Sequence, residues 1–319
     1  MGAITEALTL EMRRDPAIFL MGEDVGIGEG TFGASGNLPK EFGPERVRDT
    51  PISETGFVGA AVGAALTGMR PVVELMFVDF IGVCMDQIMN QAAKLRYMSG
   101  GKLKVPMVVR TSWGGGLSAA SQHSQALYSI VTHLPGLKCV VPSTPYDAKG
   151  LLISCLRQDD PVFFFEHKAL FNTKGPVPEG EYTIPIGKAE TKREGSDVTV
   201  VAIGRMVHLA LEAAKALETD LVSTEILDPR SLSPIDETAI LNSVKKTGRL
   251  VVVDESYPRC SIATDIAALI ATKGLGYLDA PIQLVTGGHS PVPFSPVLET
   301  AFLPSVERIV LAAKGTING

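Results

Sequence analysis

The sequence predicts an α/β protein of two doubly wound domains, and three observations carry that expectation. The chain has 319 residues, enough for about two domains of roughly 150 residues each. Short apolar runs alternate with longer helical stretches, the pattern of parallel strands joined by crossover helices. The rhythm breaks once, over 167–196, where Pro176, Pro178, Pro185 and several glycines stand among charged residues, as expected of a linker. These observations place the first domain at 1–180 and the second at 196–319.

In the first domain, the expected strands are AIFLMG (17–22), PVVELMF (71–77), VPMVVRT (105–111), KCVVP (138–142) and PVFFFE (161–166). Helices are expected over 3–13, 54–68, 80–98, 123–131 and 145–157, the last opening with Pro145 behind Thr144, a favourable helix start. The alternation restarts with DVTVVAIG (197–204), helix 206–218, the strand in DLVSTEIL (220–227), helix 234–246, RLVVVDE (249–255), helix 261–272 and a final strand near 281–285.

Composition narrows the function. Hydrophobic residues make up 45% and charged residues 20%, which excludes a largely disordered chain. The formal net charge is −6 without runs of like charge, so neither nucleic acid nor an anionic membrane is an expected partner. The apolar stretch 56–69 is too short to span a bilayer and ends in Arg70-Pro71, which makes it a core helix. Cys84, Cys139, Cys155 and Cys260 form no CxxC or metal-finger spacing and read as buried thiols of a reducing cytoplasm. The start, MGAITEALTLEMRRD, lacks the uninterrupted apolar stretch of a signal peptide.

Two local patterns invite chemistry. A GxGxxG occurs at Gly28, Gly30 and Gly33, but ASGNLPKEFG follows, where a dinucleotide fingerprint needs a helix whose first turn holds the pyrophosphate. At Thr50-Pro51-Ile52-Ser53-Glu54, a single carboxylate stands at the mouth of the small-residue helix TGFVGAAVGAALTG. Glu54 can serve the positive end of the helix dipole, or it can be a partly buried acid on whose pKa burial and the helix terminus compete.

Several long motifs in register then resemble a known family. DTPISE with GAAVGAAL after it, GEDVG (22–26), ELMFVDF (74–80), DQIMNQAAKLRYMSGG (86–101), AASQHSQ (119–125) and VVPSTPYDAKGLL (140–152) are similar to beta subunits of the thiamine-diphosphate-dependent first component of 2-oxo acid dehydrogenase complexes, in the transketolase superfamily. The resemblance runs end to end. EHK (166–168), GRMVHLA (204–210), ESYPRCSIATDI (255–266) and GHSPVPFSPVLE (288–299) look most like acetoin dehydrogenase beta subunits, with pyruvate and branched-chain 2-oxo acid dehydrogenases as alternatives.

The resemblance implies a transketolase-like pyrimidine-binding domain followed by a transketolase C-terminal-like domain. It makes Glu54 the acid that hydrogen-bonds N1′ of the aminopyrimidine, favouring the imino form whose exocyclic nitrogen accepts the thiazolium proton; the cofactor is the electron sink. It puts Phe80 on the pyrimidine face and Met76 in the same pocket. His123, between the loop WGGGLSAAS and an expected helix, is implied on the substrate or lipoyl side, as an oxyanion stabiliser or proton carrier. A structural monovalent cation such as K⁺ is implied near Met107, Cys155, Leu156, Gln158 and Asp160. The GDG motif that begins the Mg²⁺ and diphosphate half-site is absent from the sequence, and Mg²⁺ needs hard oxygen donors. The expectation is an alpha subunit supplying that half in a two-alpha two-beta heterotetramer, which passes the acyl group from a small-molecule substrate to the lipoyl-bearing acyltransferase core. The opposing reading is a noncatalytic scaffold subunit that docks this core.

Overall fold

A computed structural model describes every residue except Glu29 and Gly319. The chain divides into two compact units, one of 1–113 with 130–186, the other of 114–129 with 187–319.

The first unit begins with α1 (Gly2–Arg14), β1 (Ile18–Gly22), the short α2 (Leu38–Phe42), β2 (Val47–Asp49), α3 (Glu54–Leu66) and β3 (Arg70–Phe77). A 3-10 turn (Val78–Cys84), a π-helical turn (Gln87–Ala92) and α4 (Leu95–Met98) lead to β4 (Val108–Trp113). After α5 (Tyr128–His133) come β5 (Lys138–Val140), α6 (Pro145–Leu156) and β6 (Val162–His167). Within the unit the strands lie in the order β5-β6-β4-β3-β1-β2, and every neighbouring pair is parallel. The strands β1, β4 and β6 are buried along their whole length, as a parallel sheet covered on both faces requires. Thr144 caps α6 by accepting from the Asp147 amide at 3.1 Å, a contact worth about 1 kcal/mol. Arg157 and Arg14 bind the fully buried Glu11 at 2.6 and 2.8 Å, joining α1 to α6.

Three central strands share one buried ion triad. Arg110 on β4 reaches Glu74 on β3 at 2.9 Å and Glu166 on β6 at 2.7 Å. Burial opposes the guanidinium charge, but Glu166 and Glu74 outweigh it and raise the Arg110 pKa, so Arg110 stays the cation between two acids.

The second unit contains β7 (Glu190–Arg193), β8 (Val198–Ala202), α7 (Met206–Glu218), β9 (Thr224–Asp228), β10 (Ser231–Ser233), α8 (Glu237–Thr247), β11 (Leu250–Asp254), α9 (Ile262–Lys273), β12 (Gln283–Thr286), α10 (Pro296–Phe302) and α11 (Val306–Asn318). Its sheet runs β12-β11-β8-β9-β7, parallel except for β7 against β9. Ser261 and Thr264 form a reciprocal capping box on α9.

The expected helix over 80–98 is instead the succession of 3-10, π and short α turns. The Asp86 side chain accepts from Asn90 at 2.6 Å and Gln91 at 3.3 Å, and a carboxylate bonded at i+4 and i+5 suits the wider π turn. The helix expected over 123–131 starts only at Tyr128; before it the chain is a loop in which the Gly114, Gly115, Gly116, Ser118 and His123 amides donate outside any helix. The strand expected at 105–111 is shifted to Val108–Trp113. Three cysteines are buried as expected, but Cys260 is exposed: it lies in the turn between β11 and α9, with φ +49°, outside both sheet and helix. Among the described residues no helix is long and apolar enough to cross a membrane.

Candidate active site

In the first unit the chain direction reverses about β1: β2 lies on one side of it and β3 on the other. Ligands of open α/β sheets bind outside the carboxyl ends of the strands at such a switch point. The residues found there are Glu23 just past β1, Met76 near the end of β3, Phe80 in the turn after it, and Glu54, which opens α3 after β2.

Glu54 is 8% exposed and begins the helix behind Ser53, which makes no side-chain cap. Its carboxylate has no hydrogen-bond partner among the described residues, although the rim around it, Ile52, Ser53, Thr55 and Gly56, is exposed. The Thr55 hydroxyl donates to the Val83 carbonyl at 2.5 Å, tying the start of α3 to the turn that carries Phe80. Burial raises the Glu23 pKa, and the charges of Glu54 and Asp24 raise it further. Glu23 Oε1 is itself buried without a partner. Burial, then the Glu54 charge, push the Cys84 thiol up to about 12. The two effects locate Glu23 and Cys84 within electrostatic reach of Glu54.

Met76 owes its direction to a bulge. Leu75 pairs with Thr111 and Phe77 with Ser112, so Met76 is the extra residue; a bulge bends the strand and re-aims a side chain. The Ser112 hydroxyl donates to the Met76 carbonyl at 2.5 Å and fixes that kink. Phe80 stands edge-on to Phe77 at 6.0 Å, and Phe77 edge-on to Phe32 at 5.5 Å. Gly22 is obligatory beneath Glu23, since a β-carbon there would meet the Glu74 carbonyl at 2.7 Å.

The structure thus gathers Glu54, Met76 and Phe80 at the carboxyl ends of the strands and adds Glu23, an acid of the GEDVG motif. Its signal was position: an acid directly after a buried strand. An unpartnered carboxylate, a second acid of raised pKa and an apolar flank fit an aminopyrimidine ring, which offers nitrogen atoms to the acids and a flat face to Phe80. A cavity of about 390 Å³ in the same unit lies elsewhere, among Ile4, Pro142, Thr144, His167 and Phe171.

His123 belongs to the second unit and is half-buried in the loop before α5, its amide donating to the Ala120 carbonyl at 3.3 Å.

The oxygens expected to hold a monovalent cation accept hydrogen bonds within the protein, each carbonyl keeping a second lone pair. Arg70 donates to the Leu156 carbonyl at 2.9 Å and the Gln158 carbonyl at 2.5 Å. The Cys155 carbonyl accepts from the Gln158 amide, and that of Met107 from the Val162 amide. Asp160 pairs with Arg96 and Lys138. Basic side chains of the protein thus share this segment with the oxygens the resemblance assigns to the cation. Among the described residues no group of three or more His, Cys, Asp or Glu is arranged to hold a metal ion.

Comparison with known proteins agrees with this architecture. Residues 1–174 match the transketolase pyrimidine binding domain and 187–309 the transketolase C-terminal domain. The chain is 57% identical to the beta subunit of acetoin:2,6-dichlorophenolindophenol oxidoreductase from Bacillus subtilis, over 97% of this chain and 94% of that protein. It is 45% identical to the 2-oxoisovalerate dehydrogenase beta subunit of the same organism, over 98% and 96%. A solved structure titled split gene transketolase, inactive beta4 tetramer, shares the fold with TM-score 0.80 at 23% identity, over 99% of this chain and 97% of that one. The chain belongs to the family of dehydrogenase beta subunits built from transketolase-type pyrimidine-binding and C-terminal domains.

Proposed function

We propose that this chain is the beta subunit of a thiamine-diphosphate-dependent acetoin dehydrogenase. The observation that carries the reading is Glu54: a nearly buried carboxylate, unpartnered among the described residues, at the switch point of the first sheet. Bound there, thiamine diphosphate supplies the electron sink for cleaving a bond next to a carbonyl. Glu54 holds a proton at N1′ of the aminopyrimidine. Phe80 and Met76 bind and orient the ring, and Glu23 keeps a protonatable neighbour beside Glu54. His123 moves a proton or stabilises an oxyanion on the substrate and lipoyl side.

The chain is one subunit of a multi-subunit enzyme. An alpha subunit is the proposed source of the Mg²⁺ and diphosphate half-site, in a two-alpha two-beta heterotetramer that delivers its acyl group to a lipoyl-bearing acyltransferase core in the cytoplasm. Exposed apolar side chains next to Glu54 and in the turn after β3, Ile52 (85% exposed) and Val83, are consistent with an interface there.

Acetoin is favoured as substrate because acetoin relatives share 57% and 53% of residues, against 45% and 44% for the branched-chain and pyruvate ones. A scaffold subunit would have no use for a buried, unpaired acid, whose desolvation is costly. The test is reconstitution with an alpha partner and dye reduction with acetoin, pyruvate and branched 2-oxo acids. Acetoin is expected to give the highest kcat/KM; preference for a 2-oxo acid would overturn the substrate assignment, and turnover insensitive to Glu54→Gln would favour the scaffold.

A further inference from the structure

The second sheet has its own switch point, between β8 and β11, and the unit's own loop is fastened there. The carboxylate of Glu255, directly after β11, accepts from the Gly115 amide at 2.5 Å. Glu299 on α10, 3% exposed, accepts from the Gly116 amide at 2.8 Å, the Ser118 amide at 2.9 Å and the Ser118 hydroxyl at 3.4 Å. No cation pairs with Glu299 among the described residues. The loop's backbone amides are therefore a nest for an anion, and the anion is a side chain of the protein itself.

The loop is held against its own preferences. Gly114 and Gly116 take φ +88° and +96°, and Ser118 and Ala120, which have β-carbons, take +52° and +63°. Side chains resist that region, and such conformations persist only where surroundings over-determine them. The fit is close on all sides: a β-carbon on Gly115 would lie 3.1 Å from Leu303 and 3.3 Å from Glu299 Oε1, and one on Gly116 would lie 2.6 Å from Arg205 Nη1. Farther along, the Ser121 hydroxyl donates to the Val292 carbonyl at 2.8 Å, two residues before His123.

We propose that Glu299, seconded by Glu255, is a positioning residue that latches the glycine-rich loop and through it sets the place of His123. The proposal rests on the catalytic reading of His123. A carboxylate suits the task because both oxygens only accept, so two amides can be bound at once; a carboxamide has one acceptor oxygen, and its NH₂ opposes the second N–H. Charge-assisted bonds of this kind are about twice as strong as neutral ones.

The test is hydrogen exchange with residue-level fragmentation on the enzyme assembled with its alpha partner, beside kinetics. In the unaltered protein the Gly115, Gly116 and Ser118 amides are expected to exchange slowly and those of Leu117 and Ala119 fast. In Glu299→Gln the Gly116 and Ser118 amides should exchange roughly ten- to a hundredfold faster, with β8 and β11 unchanged. The same variant should lose kcat while keeping cofactor affinity, and Glu299→Asp should recover part of both. Fast exchange at Gly116 and Ser118 in the unaltered protein overturns the latch, whether or not the variants assemble; so does unchanged exchange in Glu299→Gln. Faster exchange with unaltered kcat and KM overturns the positioning role. Full turnover by His123→Ala, with the loop still responding to Glu299→Gln, would locate the failure in the reading of His123 and leave the latch standing.

Discussion

Replacing Glu54 by Gln separates the two roles a carboxylate can play at the start of α3. The substitution keeps the side-chain shape and removes no hydrogen bond among the described residues. What the fold loses is the favourable meeting of a negative charge with the helix N-terminus, about 0.3–1 kcal/mol, and it recovers part of the cost of burying that charge. Net stability is expected to change by less than about 1 kcal/mol. The catalytic loss should be of another order, since general acid–base groups contribute about 10²- to 10⁴-fold, or roughly 3 to 5 kcal/mol of barrier. Proton exchange at the thiazolium carbon, followed by NMR in the assembled enzyme, reads that step before any substrate chemistry. An electrostatic readout accompanies it. The Glu54 charge is the second cause, after burial, of the Cys84 thiol standing at about 12, so Glu54→Gln should lower the Cys84 pKa, measurable as faster alkylation at high pH. Exchange at the unmutated rate, with the Cys84 shift present, would show that the charge was removed and was not needed; Glu54 would then be a helix-dipole residue only.

His123→Ala should impair turnover or acyl transfer more than cofactor binding, to be checked by calorimetry beside steady-state rates; intact rates with lost cofactor affinity would contradict the role. The purified chain alone is expected to bind thiamine diphosphate weakly even with Mg²⁺, and tight stoichiometric binding in a titration would refute the divided site. Asp254, fully buried, has its pKa raised from 3.8 to about 6, chiefly by burial and against the hydrogen bonds of Tyr128, Ser256 and Ala263. The folded state therefore holds a proton that the unfolded chain releases near pH 4, so stability should fall by about 3 kcal/mol as pH rises from 4 through 6. Asp254→Asn should remove that slope in urea unfolding, and a variant with the same slope would refute the assignment.

Much of the fold was legible because its strands are continuous apolar runs such as PVFFFE, and its best helices have clear starts such as Thr144-Pro145. Elements that depend on other elements were not. The helix expected over 80–98 fails through side-chain bonds of Asp86 that no periodicity records. The strand β7 is polar and exists only because β9 lies beside it. In the candidate site Glu54 was visible as a lone acid before an apolar helix. Glu23 was not, because what distinguishes it is an oxygen buried without a partner next to another carboxylate. The bulge that aims Met76 arises from pairing with β4, and Glu299 reaches a loop 181 residues earlier; neither relation leaves a trace in local sequence.

The assignment of 114–129 to the second unit bears on how this gene can be cut. Neither unit is a continuous stretch of chain, so a boundary drawn at residue 186 does not separate two self-sufficient pieces. A fragment starting at 187 would keep Asp254, Glu255 and Glu299 but lose Tyr128, Gly115, Gly116 and Ser118, depriving each of the three acids of donors that the intact chain gives it. The complementary fragment would carry a loop made of left-handed turns with nothing to hold it. Chimeras between relatives of different substrate preference should therefore exchange 114–129 together with 187–319, as one inheritance unit written in two places.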